Sequence, residues 1–308
     1  MRYSVSQSID IKSESGRILE RLSDFTLWRA WSPWSVLEPG HSAGVSGEAG
    51  TIGHSMTWEG ELIGSGRIAL SGLDRSELAC DLELAKPFKS AAAVSFRLDE
   101  SHGTTRVTWS MASRLPWFLF FLRRMIASNV SMDYGRGLVM LKEIAERGRI
   151  DAETTDCGIV DFEGFAYTGL KSESTVQDIP LSMGRDFGRI RASLQDREAA
   201  VQHAVAVYER ADMVSNRFVY ICAVSGSDPG ELDLGRDAVH GTIASGKMLE
   251  IRHRGSYRFI GNAWSMGMAT IRARKWKQRG SPFELYHNSP GDTAEEDLRT
   301  SICFPLKG

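Results

Sequence analysis

The chain opens with an alternating run, Tyr3 to Ile11, and then places apolar residues at Ile18, Leu19, Leu22 and Phe25. Alternation at every second position marks a half-buried strand, and recurrence at three and four marks one face of a helix. A strand and then a helix over about 15–25 are predicted. Three tryptophans follow, Trp28, Trp31 and Trp34, with Pro33 as the expected helix breaker. Short strand-like runs then cover 51–59, 62–70, 76–84, 91–98 and 105–111, punctuated by Gly64-Ser65-Gly66, Ser71-Gly72 and His102-Gly103. Helical spacing returns from Asn129 to Arg147 through Val130, Tyr134, Leu138, Leu141 and Ile144. A meander of antiparallel strands has one face to bury, and only this last helix is long enough to cover it. The predicted first domain, residues 1–148, is a curved sheet gripping a helix around a cavity.

Gly148 to Asp156 is polar and without apolar period, so 149–157 is predicted as a linker to a second domain, 158–308. That domain shows the same βαββ order twice. The first pass is strand 159–170, helix 180–194, and strands 204–210 and 217–224. The second is strand 248–254, helix 256–275, and strands 283–288 and 299–306. The helices match in apolar period, through Met183, Phe187, Ile190 and Leu194 in one and Tyr257, Ile260, Trp264, Met268 and Ile271 in the other. Laying Tyr208 on Tyr286 places Ala206 on Glu284. A repeat of this kind predicts two units about a pseudo-twofold axis. Their edges should join in one sheet with both helices on one face, leaving a groove along the axis. The fold class is therefore α+β in both halves.

Composition adds boundaries. A chain of 308 residues with 42% hydrophobic and 25% charged residues suits two globular domains. A net charge of -2 argues against a basic nucleic-acid-binding surface, and no helix-turn-helix is apparent, so direct nucleic-acid contact is not expected. Cys80, Cys157, Cys222 and Cys303 are widely spaced, which speaks against zinc or a disulfide framework and for a reducing cytoplasm. No secretion signal is read at the start. The longest apolar run, Leu115 to Leu122 between Arg114 and Arg123-Arg124, is too short to span a membrane. A buried segment is expected there, with membrane-surface contact the minor alternative.

Candidate chemistry concentrates at 283–286. Glu284 and Tyr286 share one strand face, and Phe283 and Leu285 take the other. A carboxylate on a strand otherwise built for burial is the most informative local feature. Arg252 or Arg254 would be its partner if it were only an ion pair. His253 and His287 are expected at the surface. His54 and Glu59 fit either a cavity or exposed strand positions. No metal-ligand spacing, Ser/His/Asp set or phosphate loop appears, so no metal or cofactor is expected.

Ser23-Asp-Phe25, Trp28-Arg-Ala-Trp-Ser-Pro-Trp34, Gly53-His-Ser-Met-Thr-Trp58, Thr105-Arg-Val-Thr-Trp109 and the closing Gly137-Leu138 with Leu141-Lys-Glu-Ile-Ala-Glu146 resemble the polyketide-cyclase and START-type helix-grip superfamily (SRPBCC). That resemblance covers about 1–148 and implies a hydrophobic ligand cavity, without a catalytic motif to carry over. Ile243-Ala-Ser-Gly-Lys247, Arg252-His-Arg-Gly-Ser-Tyr257, Trp264, Phe283-Glu-Leu-Tyr286 with Asn288 and Pro290, and Ile302-Cys-Phe-Pro-Leu306 resemble the GyrI-like small-molecule-binding domain. This is the effector-binding module of some AraC- and MerR-type regulators. The resemblance implies that Glu284 sits in an aromatic cleft and contacts lipophilic, often cationic, ligands. In some members the same glutamate is implicated in hydrolysis of cyclopropanoid electrophiles. Ser256 stands where the family commonly has proline, and serine is itself a good helix cap.

On that basis Tyr257, Trp264, Tyr167 and Tyr286 are expected to supply ring faces around Glu284, each adding about 0.5–2 kcal/mol to a bound cation. Three functions follow in order of expectation. The first is a small-molecule binding protein. The second is a hydrolase with Glu284 as general base. The third is a modulator of transcription or gyrase through a protein partner, with a homodimer also open.

Overall fold

The computed structural model describes residues 2–114, 121–194, 201–212, 214–226 and 234–307. The apolar run expected at 115–122 lies, except for Phe121 and Leu122, outside the described residues. The chain divides into two units at Asp151/Ala152.

In the first unit β1 (Arg2–Ile11) is followed by α1 (Ser15–Ser23), a 3-10 turn (Phe25–Ala30) and α2 (Pro33–Leu37). Strands β2 (Ser42–Ser46), β3 (Ser55–Glu59), β4 (Ser65–Leu73), β5 (Glu77–Lys86), β6 (Ser90–Ser101) and β7 (Thr104–Arg114) lead to α3 (Arg123–Arg147). The strands form one antiparallel seven-stranded sheet in the order β1-β7-β6-β5-β4-β3-β2. Pro33 starts α2 instead of breaking a helix, because the first helical turn needs no N–H from it. The β2 strand went unread in the sequence because all five of its residues are exposed and carry no alternation.

The interior of this unit is aromatic. Trp109 stacks on Tyr134 of α3 with ring centroids 3.8 Å apart, and on Phe96 at 4.8 Å. Trp28 and Trp31 pack edge-on against the same rings. Where these faces meet, sheet and helix are in van der Waals contact, with no room for a ligand between them. His54 is a core residue: its Nε2 accepts the Phe25 N–H at 3.0 Å and its ring stacks on Phe25. Glu59 is exposed and pairs with Lys86 at 2.8 Å. His54 is thus part of the core and not at an exposed strand position, whereas Glu59 takes the exposed strand position and also lines a surface groove. Outside this packing, a surface groove of about 630 Å³ is lined by Trp58, Arg67 and Lys89 among others.

The second unit contains β8 (Ala152–Phe162), β9 (Phe165–Ser174), α4 (Ile179–Leu194), β10 (Val201–Asp212), β11 (Arg217–Gly226), β12 (Ala238–Ile243), β13 (Gly246–Gly255), α5 (Gly261–Arg274), β14 (Phe283–Tyr286) and β15 (Arg299–Pro305). Two differences from the expected βαββ order stand out. Residues 152–157, expected as linker, begin β8. The strand expected over 159–170 is really the end of β8 and the start of β9, turned at Gly164 with φ +76°. β8 is polar because it is an edge strand with only one neighbour, β13.

All eight strands join in the order β12-β9-β11-β10-β14-β15-β13-β8. The β10–β14 ladder lies at the centre. Outward from it run β11, β9 and β12 on one side, and β15, β13 and β8 on the other. α4 packs on β9 and β11, and α5 on β13, β15 and β8. The buried stripe of α5 is Ala263, Met266, Gly267, Thr270 and Ile271, while Met268, expected in the core, is 41% exposed. The reason is close approach: a Cβ at Gly267 would run into the Phe304 ring, so small residues face the sheet and Trp264 is turned sideways.

Candidate functional site

Alternation along β14 sends Phe283 and Leu285 to one sheet face and Glu284 and Tyr286 to the other. Phe283 joins a buried cluster with Val205, Val207, Ile221, Met248 and Cys303, with Leu285 packed against it. Tyr286 instead packs on the helix-side cluster that holds Met183, Ile190, Ala206, Tyr220 and Cys222. Glu284 is therefore delivered beneath the helices, where it is 4% exposed.

Three neutral donors hold it. Tyr208 Oη donates to Oε1 at 3.0 Å and Trp264 Nε1 to the same oxygen at 2.6 Å. Tyr286 Oη donates to Oε2 at 2.5 Å. In the central ladder Ala206 sits directly opposite Glu284. These two also superpose when Tyr208 is laid on Tyr286, so the local dyad of the ladder runs between them. A carboxylate has a twofold axis of its own. Here one tyrosine from each side of the dyad takes one of its oxygens.

Among the described residues, no arginine pairs with Glu284. Arg252 is engaged by Glu250 at 3.1 Å and Arg254 by Asp297 at 2.7 Å. Burial pushes the Glu284 carboxyl above the ordinary carboxylate range, and the Tyr286, Trp264 and Tyr208 hydrogen bonds only partly offset that. Burial and then the Glu284 charge push the Tyr208 and Tyr286 phenols well up, so both remain neutral donors. Tyr257 is pushed up to about 12, mainly by burial.

Rings wall the carboxylate. Tyr208 meets Trp264 at 4.7 Å, Tyr286 meets Phe187 at 5.5 Å and Tyr257 at 5.9 Å, and Trp264 meets Phe304 at 5.4 Å. Glu284, Tyr257, Trp264 and Tyr286 are thus together. Tyr167 is not: it belongs to the cluster on the opposite sheet face, because the register of β9 sends Leu170 and Thr168 toward the helix side and odd-numbered residues away. Tyr208 takes its place. Sequence reading had paired Tyr208 with Tyr286 in the repeat, a signal that already pointed to it. Phe187 and Met183 were read only as helix core. His253, expected at the surface, is 1% exposed beneath α5. His287 is exposed, as expected, and its Nε2 lies 2.7 Å from Ser301 Oγ.

Comparison with known families places both halves. Residues 2–146 match the family model described as polyketide cyclase / dehydrase and lipid transport. Residues 155–307 match the GyrI-like small molecule binding domain. The chain is a fusion of these two families, with an SRPBCC-type domain followed by a GyrI-like domain, and it carries a small-molecule-binding role. A search of curated proteins found no match. Among solved structures, the chain is similar to the Aha1 dimer from Colwellia psychrerythraea at 17% identity and TM-score 0.36, covering 48% of this chain and 99% of that one. It is similar to an integron cassette protein from Vibrio cholerae at 17% identity and TM-score 0.37, covering 50% and 99%. A cryo-EM structure of an EcmrR–DNA complex is similar at 14% identity and TM-score 0.40, covering 62% and 72%. No helix among the described residues is long and apolar enough to cross a membrane.

Proposed function

We propose that the C-terminal unit binds lipophilic monocations or the cationic end of larger molecules at Glu284. The observation that carries this is a carboxylate 4% exposed, ringed by Tyr208, Tyr286, Trp264 and Tyr257, and held by neutral donors with no arginine paired to it among the described residues. A buried ion pair inside a protein normally has both partners present. Here the negative partner is built in, and the positive one is left to the ligand. At about 4 Å and an effective dielectric near 20 the attraction is roughly 4 kcal/mol before desolvation. Two ring faces add about 0.5–2 kcal/mol each. Together with apolar burial this supports micromolar affinity, which needs about -8 kcal/mol.

Thermal shift against matched cationic and neutral aromatic compounds tests this. Cations should raise the melting temperature, neutral isosteres should not, and the difference should vanish in Glu284→Gln. A panel without any Glu284-dependent shift refutes the proposal.

A second reading, hydrolysis of a strained electrophile, is favoured by the Tyr286 hydroxyl held 2.5 Å from the carboxylate. Glu284 would take one proton of a water whose oxygen bonds to the electrophilic carbon as the strained ring's C–C bond to that carbon breaks, and the released electron pair would take up a proton from the Tyr286 hydroxyl, which Glu284 then reprotonates. Turnover that persists in Glu284→Gln removes this reading.

A further inference from the structure

Glu284 is not the only carboxylate enclosed beneath the helices. Asp186, in the middle of α4, is 1% exposed, and its Oδ2 accepts no hydrogen bond. Among the described residues its Oδ1 meets only the Arg185 Nε, at 3.4 Å, on a side chain that is itself 64% exposed. The Tyr220 hydroxyl, on the sheet below, also lacks a hydrogen bond of sound geometry, although Ser182, one turn before Asp186, is its polar neighbour. A buried carboxylate oxygen or hydroxyl without a partner costs roughly 1–3 kcal/mol. Two such groups, on the helix and on the strand it packs against, fit a ligand group that brings several N–H donors.

The sheet register fixes the spacing. Glu284 pairs with Ala206, Ala206 with Cys222, and Cys222 with Leu170. Neighbouring strands lie about 4.8 Å apart, so Cys222 is about 10 Å from Glu284 across the sheet. Asp186 is buried on α4, which packs over β9 and β11, so it stands above the strand that carries Cys222, two strands from Glu284. The floor connecting them is aromatic: Tyr208, which donates to Glu284, meets Tyr220 with ring centroids 6.2 Å apart.

We propose that Asp186, with the Tyr220 and Ser182 hydroxyls, is a second anchor, and that this unit takes elongated dications with charged ends about 10 Å apart, one at Glu284 and one at Asp186. The proposal rests on the Glu284 reading above and narrows its ligand class.

The test compares biphenyl-4-amidine with biphenyl-4,4′-diamidine by isothermal titration of the whole chain. The diamidine should bind at least about tenfold tighter. Asp186→Asn should bring that ratio down to about two, the statistical factor for two equivalent ends, with monoamidine affinity unchanged. Tyr220→Phe leaves the carboxylate in place and should lower the ratio partway, which keeps the test decisive if the Asn variant fails to fold. A diamidine without advantage, or an advantage that survives both variants, overturns the proposal. So does a crystal structure at saturating diamidine with only water at Asp186. Monoamidine binding that depends on Glu284, without a diamidine gain, defeats this proposal alone. Binding of neither compound defeats the Glu284 reading and this one with it.

Discussion

Replacing Glu284 by glutamine removes the charge and keeps the shape. The amide oxygen still accepts from Tyr208 and Trp264, whose donors lie 3.0 and 2.6 Å from Oε1 in the native chain. The amide nitrogen then faces the Tyr286 oxygen, which can accept where it previously donated. What changes is the attraction for a cation, gross about 4 kcal/mol at 4 Å and an effective dielectric near 20. Part of that is offset by stripping water from the cation, and part by ionising a carboxyl whose pKa burial has raised, at about 1.4 kcal/mol per unit. A net loss of about 2–3 kcal/mol remains, or roughly a 30- to 150-fold weaker monocation. Calorimetric titration of biphenyl-4-amidine against wild type and Glu284→Gln measures it, with biphenyl-4-carboxamide as the uncharged control. The amide should bind both proteins alike. If the amidine loses less than about twofold, or the amide equals the amidine in wild type, the electrostatic account of this cleft is wrong.

The same raised pKa gives cation binding a pH dependence. Affinity should fall as pH drops through the Glu284 pKa and level off above it, with proton release on binding, and the slope should be absent in Glu284→Gln. For stability the sign is opposite to that of a salt-bridged acid. The folded state holds the Glu284 proton more tightly than the unfolded chain, so stability falls as pH rises from the unfolded carboxyl range through the raised value. Glu284→Gln should therefore gain on wild type with rising pH in chemical denaturation. Gly267→Ala should destabilise by about 1–3 kcal/mol in the same assay, because its methyl has no space against Phe304. Trp109→Ala should cost about 3–5 kcal/mol by removing a ring stacked on both Phe96 and Tyr134, seen as a lower melting temperature of the N-terminal unit.

Much of the fold was legible in the order of the chain. Strong alternation and helical spacing located most elements of both units, since one-sided burial imposes a period of two or about 3.6 on whatever sequence lies there. The strands that went unread, β2, β12 and the first half of β8, lie at or next to sheet edges, where half the backbone has no partner and little apolar surface is covered, so no period is imposed. Met268 and His253 were misplaced for a related reason. Which stripe of α5 meets the sheet depends on how near the helix can come, and Gly267 against Phe304 decides that in three dimensions.

By itself, the sequence determined that Glu284 and Tyr286 share a strand face and that Tyr208 and Ala206 are their counterparts in the repeat, because these follow from spacing alone. Only the tertiary structure decided what that face meets. The central ladder sets Ala206 opposite Glu284, brings Tyr208 and Trp264 onto one carboxylate oxygen and Tyr286 onto the other, and sends Tyr167 to the far side of the sheet. Trp264 and Tyr208 lie 20 and 76 positions from Glu284, and such pairings are set by strand register and helix packing, which no local pattern encodes.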